Sequence, residues 1–382
     1  MKKVGIITHY YNSLNYGGNL QSYALCKYLE AKGCDAEQIC YELQTQDYKK
    51  SRLVWSIVRK IIVFLKRKMK RFLYRKDIVF LENIRKNSFR KFNKEMIPHS
   101  EKVYSSKNIN ECIENYDVFI TGSDQVWNYN CYNKAFFLDF VPDTKVKVSY
   151  AASIGSNTLD EEQKNIFVNS LQSYNAISVR EYNAVELLKD LTDKEIEVVL
   201  DPTLLLSAED WGEVCEPPVI YDKYVFTYFL GQNNAAVDIA IEYATELNLK
   251  LINIPYAKGG WEKNERRFGD IELLDATPEQ FLSLIKYAEY VFTDSYHASV
   301  FSLIFQKQFF VFNRDAKGSM NSRILSLVDM FELKERFCAK KEQETLEYIK
   351  SLQEIVYNKH FEGVEECRKT SCEFIRKNIL EM

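Results

Sequence analysis

One histidine stands where a predicted strand meets a predicted helix, in the stretch FTDSYHASVF. The apolar strand ends at Thr293, and His297 falls in the first turn of the helix that follows. Ser295 is placed to cap this helix, which would leave backbone N–H groups near Tyr296 free at its start. Such groups bind anions, and an imidazole beside them can donate to an anion or act as an acid. The spacing therefore predicts an anion site around His297, with a buried structural histidine as the alternative.

A carboxylate, Asp124, follows another predicted strand in the stretch GSDQVW. At the end of a strand it would act as a general acid or base, or accept a hydrogen bond from a sugar; an Asx turn is the alternative. Trp127 either stacks on a sugar or packs in the core. Asp201, in LDPT, is interpreted as a structural residue that ends a strand before Pro202.

The first predicted strand, at residues 4–8, leads into a polar stretch with two adjacent glycines. The stretch lacks the pattern Gly-x-Gly-x-x-Gly, so it does not predict dinucleotide binding. We interpret it as a loop whose backbone approaches an acceptor molecule, or as a simple tight turn. The candidate residues of this acceptor-side loop are Asn15, Gly17, Gly18 and Gln21.

Predicted strands and helices alternate along most of the chain, and the series restarts after residue 221. This alternation predicts an α/β fold of two Rossmann-like domains, each with a mostly parallel sheet, and a cleft between them. The predicted parts are an N-terminal domain at 1–206, a linker at 207–221, a C-terminal domain at 222–344 and a helical segment at 345–382.

The composition of the 382 residues is that of a globular protein, with 46% hydrophobic and 27% charged residues. Nine cysteines are scattered without a Cys-x-x-Cys pair, which indicates reduced thiols and argues against a structural zinc site. The apolar run at the N-terminus is too short for a secretory signal, so a cytoplasmic protein is predicted.

The charge is unevenly distributed, because residues 49–76 hold twelve Lys or Arg and no acid, although the net charge is −3. Apolar residues fall at helical spacing here, so a basic amphipathic helical segment is predicted over residues 49–95. It would lie against an anionic membrane at the inner face of the cell, or pack on the first domain as a solvated helix. Nucleic acid is not expected, since the rest of the chain is acidic and has no recognised motif.

Six stretches occur together in an order that resembles the polysaccharide pyruvyl transferase family. They span most of the chain, whereas the basic segment and the tail after about residue 340 carry little resemblance. The stretches are NYGGNLQSYAL at 15–25, FITGSDQVWN at 119–128, SYAASIG at 149–155, ISVRE at 177–181, VLDPTLLL at 199–206 and TDSYHASVFSLIF at 293–305.

The resemblance implies a fold like that of two-domain (GT-B-like) glycosyltransferases and a reaction with phosphoenolpyruvate. The pyruvyl group would be joined to two hydroxyls of a capsule, an exopolysaccharide or its lipid-linked precursor as a ketal, with release of phosphate. No metal or cofactor is implied beyond phosphoenolpyruvate as co-substrate. Arg180 matches the family's donor-binding arginine, and the family's Arg-Leu-His corresponds to Ser295-Tyr296-His297 here. A donor cation is therefore missing at position 295, and Arg323 is a candidate to supply it. Asp294 would orient His297 or hold a cationic neighbour. The N-terminal domain would lie on the acceptor side and the C-terminal domain on the donor side.

Two alternatives remain at this point. A glycosyltransferase of the same architecture would bind a nucleotide-sugar, although no acid pair suited to a ribose is evident near the C-terminal strand ends. A catalytically silent partner in a glycan assembly complex would keep only the fold. The presence of His297, Arg180 and Asp124 together argues against the silent partner.

Overall fold

The computed structural model describes residues 1–43, 76–231, 233–255, 267–314, 321–359 and 361–382. These residues form two six-stranded sheets in which all neighbouring strands are parallel. Helices connect the strands, as parallel pairing requires. The predicted α/β fold of two Rossmann-like domains is therefore confirmed.

The first sheet has the strand order β2-β1-β3-β4-β5-β6. Its strands are β1 (Lys3–Ile7), β2 (Asp35–Gln38), β3 (Val118–Thr121), β4 (Val146–Ala152), β5 (Ala176–Val179) and β6 (Ile196–Val198). Its main helices are α1 (Tyr16–Ala31), α2 (Lys76–Glu95), α3 (Glu161–Leu171) and α4 (Tyr182–Leu188).

The second sheet has the order β9-β8-β7-β10-β11-β12, which is the 3-2-1-4-5-6 order of Rossmann domains. Its strands are β7 (Tyr224–Tyr228), β8 (Lys250–Asn253), β9 (Ile271–Glu272), β10 (Tyr290–Thr293), β11 (Gln308–Phe312) and β12 (Phe337–Cys338). The helices from here to the C-terminus are α6 (Asn234–Glu246), α7 (Pro278–Lys286), α8 (Tyr296–Ile304), α9 (Ser322–Met330), α10 (Leu346–Ser351) and α11 (Phe361–Ile375), which continues as a π-helical turn at Arg376–Leu380.

The segment predicted as a linker, residues 207–221, contains a helix, α5 (Ala208–Val214). Ser207 caps it by accepting from the Asp210 N–H, and the Asp210 side chain returns a bond to the Ser207 backbone. This is a capping box with aspartate in place of the usual Glu or Gln. Trp211 is fully buried in the cluster that joins the domains, so this connection is packed rather than free.

The predicted loop over Asn15, Gly17, Gly18 and Gln21 is wrong, because α1 begins at Tyr16. The Asn15 side chain caps the helix by accepting from the Gly18 N–H, so the two glycines occupy its first turn. Glycine costs helix stability in the interior of a helix, but a cap and packing on both domains compensate here.

Apolar packing joins the two domains directly. Tyr16 of α1 stacks on Phe281 of α7 with ring centroids 4.5 Å apart, and its hydroxyl donates to the Ala276 carbonyl at 2.7 Å. α11 returns from the second domain to the first, where the Ser371 hydroxyl accepts from the Leu200 N–H at 2.8 Å. The two domains are therefore connected at two separate places, by the contact of α1 with α7 and by the contact of α11 with the first domain.

Only part of the predicted basic segment falls within the described residues. Residues 76–95 form α2, whose Phe89 and Phe92 are buried in the shared core, and residues 49–75 lie outside the described ranges. Among the helices described, none is long and apolar enough to cross a bilayer.

Candidate active site

The candidate residues come together where the carboxyl ends of the two sheets face each other. In the first sheet, connections from β1 leave in opposite directions at the β1–β3 pair, and Asp124 follows β3. In the second sheet the corresponding point is the β7–β10 pair, and His297 follows β10. Ligands of open α/β sheets bind outside such topological switch points.

The centre of the site is a buried guanidinium, that of Arg180, which follows β5. Its Nη1 donates to Oδ2 of Asp201 at 2.5 Å and its Nη2 donates to Oδ1 of Asp124 at 3.1 Å. The three side chains are at most 9% exposed, and both bonds carry charge on donor and acceptor. Arg180 thus joins the ends of β3, β5 and β6, while its Nε has no hydrogen-bond partner among the described residues.

Both carboxylates stay ionised in spite of their burial. Desolvation opposes ionisation of Asp124, but the charges of Arg180, His297 and Arg323 outweigh it and lower the pKa of Asp124. The pKa of Asp201 is depressed further, because His297, Arg180 and the Thr203 hydroxyl outweigh desolvation. Neither carboxylate is therefore a proton donor near neutral pH.

His297 reaches the first domain from the start of α8. Its Nε2 is buried, lies 3.6 Å from Oδ2 of Asp201 and has no hydrogen-bond partner among the residues that the structure describes. The ring packs against Gly17, where an added Cβ would fall 1.9 Å from Nδ1. Gly17, predicted in the acceptor-side loop, therefore makes room for a histidine of the second domain.

Ser295 and Tyr296 form the start of α8 next to this histidine. The Ser295 hydroxyl accepts from the Ala298 N–H at 3.4 Å, as the predicted cap requires. The Tyr296 ring lies against both guanidinium groups, 4.3 Å from Arg180 and 5.9 Å from Arg323. Its aromatic face therefore stabilises two neighbouring cations through cation–π contacts.

Arg323, in the first turn of α9, is the second buried guanidinium of the site. Its Nη1 lies 3.8 Å from Oδ1 of Asp124, which already accepts from Arg180. With the Gln125 amide oxygen turned toward it, that oxygen accepts from both terminal nitrogens at 2.9 and 3.0 Å. Burial, followed by repulsion from Arg180, lowers the pKa of Arg323 to about 10, which still leaves it protonated at neutral pH.

Asp294 does not orient His297, which was one of its two predicted roles. Its two carboxylate oxygens accept from the backbone N–H groups of Leu230 and Gly231 at 2.6 and 2.7 Å, and Arg314 lies 3.7 Å away. It therefore holds the turn after β7 and pairs with a cation, which was the other predicted role.

Sequence reasoning missed two acids that organise the site. Asp201 does end a strand by capping the next turn, with Thr203 donating to it through N–H and hydroxyl, but it also binds Arg180. Glu181 accepts from the Ser153 hydroxyl and the Ile154 N–H, which fixes the loop after β4. The acid directly after Arg180 and the aspartate of LDPT were the available signals.

Two other predictions concern packing and metals. Trp127 is 1% exposed and packs on Phe137, Phe167 and Tyr174, so it is a core residue and does not present a face to a sugar. Within the described ranges, no group of three or more His, Cys, Asp or Glu side chains is placed to hold a metal ion.

Residues 15–316 match the model of the polysaccharide pyruvyl transferase family. The chain belongs to this family. Pyruvyl transferases are enzymes, and the match covers strands β2 to β11 and all candidate residues except Arg323, which lies seven residues beyond its end. A comparison with curated proteins finds no match.

Solved structures similar to this pyruvyl transferase family member share its two-domain fold over nearly the whole chain. The UDP-GlcNAc 2-epimerase of Neisseria meningitidis, bound to UDP-GlcNAc, is 9% identical, with 100% of both chains covered and a TM-score of 0.52. S. aureus MnaA, solved with UDP, is 13% identical, with 100% of this chain and 98% of that chain covered and a TM-score of 0.52. The UDP-GlcNAc 2-epimerase of Methanocaldococcus jannaschii is 13% identical, with coverages of 94% and 93% and a TM-score of 0.51. At these identities the likeness concerns the fold alone.

Substitution of Asp201 by Asn should strongly destabilise the fold, because it leaves the Arg180 guanidinium buried with one carboxylate instead of two. We expect a loss of about 3–5 kcal/mol in the free energy of unfolding, measured by urea denaturation at pH 7. The control Glu186→Gln breaks an exposed ion pair with Lys189 and should change it by less than about 1 kcal/mol. Equal effects of the two substitutions would contradict the central role of Asp201.

The comparison of wild type with Asp201→Asn also predicts how the free energy of unfolding depends on pH. The pKa of Asp201 is lower in the folded chain than its ordinary value of 3.8, so its carboxylate contributes stability above about pH 4. That contribution is lost as the pH falls further, and Asp201→Asn has no carboxylate to protonate. The difference in unfolding free energy between wild type and variant should therefore be constant from about pH 5 to 8 and narrow below about pH 4.

Substitution of Gly17 by Ala should also destabilise the protein, since the new methyl group overlaps the His297 ring. We expect a loss of about 1–3 kcal/mol, measured by urea denaturation, despite the better helix propensity of alanine. The matched control is Gly212→Ala in α5, where only the flexible end of Lys286 lies within 3.0 Å. A neutral Gly17→Ala would show that His297 does not rest on α1.

Proposed function

We propose that the protein transfers the pyruvyl group of phosphoenolpyruvate to a sugar of a cell-surface polysaccharide or its lipid-linked precursor, forming a pyruvate ketal. Membership of the pyruvyl transferase family supports this reaction class. The observation that carries the proposal is the buried Arg323 guanidinium next to Tyr296, for which no carboxylate among the described residues is a hydrogen-bonded partner.

Arg323 is proposed as the cation that binds the donor. A buried charge is costly unless it is paired, and the carboxylate closest to Arg323 is already shared with Arg180. An anionic ligand would supply the missing partner. Arg323 thereby takes the place of the family arginine that Ser295 replaces.

The start of α8 is proposed to bind the same anion. Ser295 occupies the Ala298 N–H, which leaves the N–H groups of Tyr296 and His297 at the helix terminus without an intrahelical acceptor. Such groups favour phosphate or carboxylate. Arg180 would add its one unbonded nitrogen, Nε, while its other two nitrogens hold Asp124 and Asp201.

The proposed reaction begins with a proton on the donor methylene carbon, C3, which makes C2 electrophilic. One acceptor hydroxyl adds to C2, the C2–O bond to phosphate breaks with its electron pair, and a second hydroxyl adds. Of the two hydroxyl protons released, one balances the proton gained by C3 and the other ends on phosphate.

His297 is proposed as the acid at C3, because its buried Nε2 lies 3.6 Å from Oδ2 of Asp201 and has no hydrogen-bond partner among the described residues. It also belongs to the domain that is proposed to hold the donor. Asp124 is proposed to orient an acceptor hydroxyl by accepting its hydrogen bond. An ionised carboxylate with a depressed pKa can accept such a bond but is a weak base.

Titration calorimetry with phosphoenolpyruvate and with UDP-hexoses tests the donor. We expect phosphoenolpyruvate to bind, and Arg323→Met to weaken it about 10- to 100-fold, as loss of a charged hydrogen bond does. Arg376→Met, which breaks an exposed cluster with Glu373 and Glu381, is the control and should bind as wild type does. Phosphate release with hexosides that carry free 4- and 6-hydroxyls then reports turnover.

Binding of UDP-hexose in preference to phosphoenolpyruvate would select a nucleotide-sugar enzyme of this fold instead. Binding without phosphate release from any acceptor, including lipid-linked glycan extracts, would count for a silent partner.

The acceptor is proposed to lie at the inner face of the cell membrane, which the twelve basic residues of segment 49–76 would contact. Sedimentation with vesicles that contain about 30% anionic lipid should deplete the protein at low salt and release it at about 0.5 M salt. Replacement of six of these Lys or Arg residues by Gln should abolish sedimentation without changing donor affinity. Equal sedimentation with neutral vesicles would contradict the proposal.

A further inference from the structure

The first domain carries a histidine at its own topological switch point. His9 follows β1 by two residues, and β1 pairs with β3, the strand that precedes Asp124. In the second domain the corresponding pair is β7–β10, and His297 follows β10, the counterpart of β3 rather than of β1. Each of the two strand pairs at which ligands bind in such folds is therefore followed by a histidine.

The first turn of α1 brings these two histidines near each other. Gly17 faces the His297 ring, and a Cβ added to the next residue, Gly18, would fall 3.1 Å from the His9 carbonyl oxygen. Consecutive residues are about 3.8 Å apart, so both histidines border the same helical turn. His9 therefore lies beside this turn, and it is close enough to Asp124 for the two side chains to interact electrostatically.

The His9 side chain has one nitrogen that nothing described in the structure satisfies. Its ring lies 4.1 Å from the Phe136 ring, and its Nε2 is buried without a hydrogen-bond partner among the described residues. Burial lowers the pKa of His9, although the charge of Asp124 and the Gln125 backbone oppose this effect. A neutral imidazole with an unused nitrogen can take up a proton, and a buried polar atom without a partner favours a hydrogen-bonding ligand.

The proposed reaction needs a base that the other residues do not provide. Asp124 is an ionised carboxylate bound to Arg180 and has little affinity for a proton. His297 is already assigned, in the proposed reaction, as the acid that protonates C3. A base on the acceptor side works best when its lone pair is free and its proton affinity is close to the operating pH.

We propose that His9 is the general base that removes the proton from an acceptor hydroxyl, an inference that rests on the proposed function. The O–H bond breaks, its proton moves to Nε2 of His9, and the oxygen electron pair forms the bond to C2 of the donor. The proton on His9 later leaves with phosphate, which restores the neutral imidazole. Donor and acceptor chemistry are thereby divided between two histidines, one from each domain.

The experiment compares wild type with His9→Ala and His9→Gln by phosphate release, using the hexoside that supports wild-type turnover. We expect kcat to fall about 100- to 10,000-fold in both variants, while the dissociation constant of phosphoenolpyruvate by calorimetry stays within about twofold. Added imidazole should raise the rate of His9→Ala at least tenfold, because it fits the cavity that the missing side chain leaves. It should not raise the rate of His9→Gln. His99→Ala is the control, since His99 bonds the Ile97 carbonyl and is outside the site.

Each other outcome overturns the base role in a distinguishable way. Rates of both variants within about threefold of wild type, with phosphoenolpyruvate still consumed, would remove His9 from catalysis and leave the proposed function intact. Loss of phosphoenolpyruvate binding in both variants, with unchanged thermal unfolding, would make His9 a donor contact. A wild-type protein that neither binds nor consumes phosphoenolpyruvate would remove the proposed function, and the base role with it.

Discussion

The site depends on one buried guanidinium shared by two carboxylates. Arg180 is tied to Asp201 and Asp124 at 2.5 and 3.1 Å, and Tyr296 of the other domain covers its face. Removal of Arg180 or of either carboxylate would leave a buried charge without its partner. The carboxyl ends of β3, β5 and β6, which carry these groups, must therefore lie close together. The same ion pairs hold Asp124 and Asp201 where they face Arg323 and His297 of the second domain, so they connect the two domains at the site.

The proposed chemistry is divided between the two domains. The second domain contributes the groups suited to an anion, which are the start of α8, His297 and Arg323. The first domain contributes the carboxylate and the imidazole that would face a hydroxyl, Asp124 and His9. The apolar cluster around Tyr16 and Phe281 joins α1 to α7, so these two groups of side chains have a fixed position relative to each other.

Long apolar strands and strongly periodic helices could be predicted from the sequence, because their patterns are local. The edge strands β2, β9 and β12 could not, since they have two to four residues and β2 is the polar run DAEQ. At the start of α1, two adjacent glycines predict a loop, although the Asn15 side chain caps a helix there. Tertiary contacts on both sides of that turn override the low helix propensity of glycine.

The sequence predicts several residues of the candidate site but not the hydrogen bonds and ion pairs that join them. Strand ends identify His297 and Asp124, because carboxyl ends of parallel strands meet at one edge, and the family resemblance identifies Arg180. Asp201 already had a local explanation in the Asp-Pro turn, and its bond to Arg180 depends on how β5 and β6 are placed. The burial of Arg323 likewise follows from the contact between domains, which no local pattern encodes.

The return of α11 to the first domain places both ends of the polypeptide side by side. The Lys2 ammonium donates to the carbonyls of Ile379 and Leu380 and contacts the final residue, Met382. The first domain is thus closed by a segment that follows the second domain along the chain. The second domain is an insertion within the first, which describes how the two bodies are built in space better than a simple order of one domain after the other.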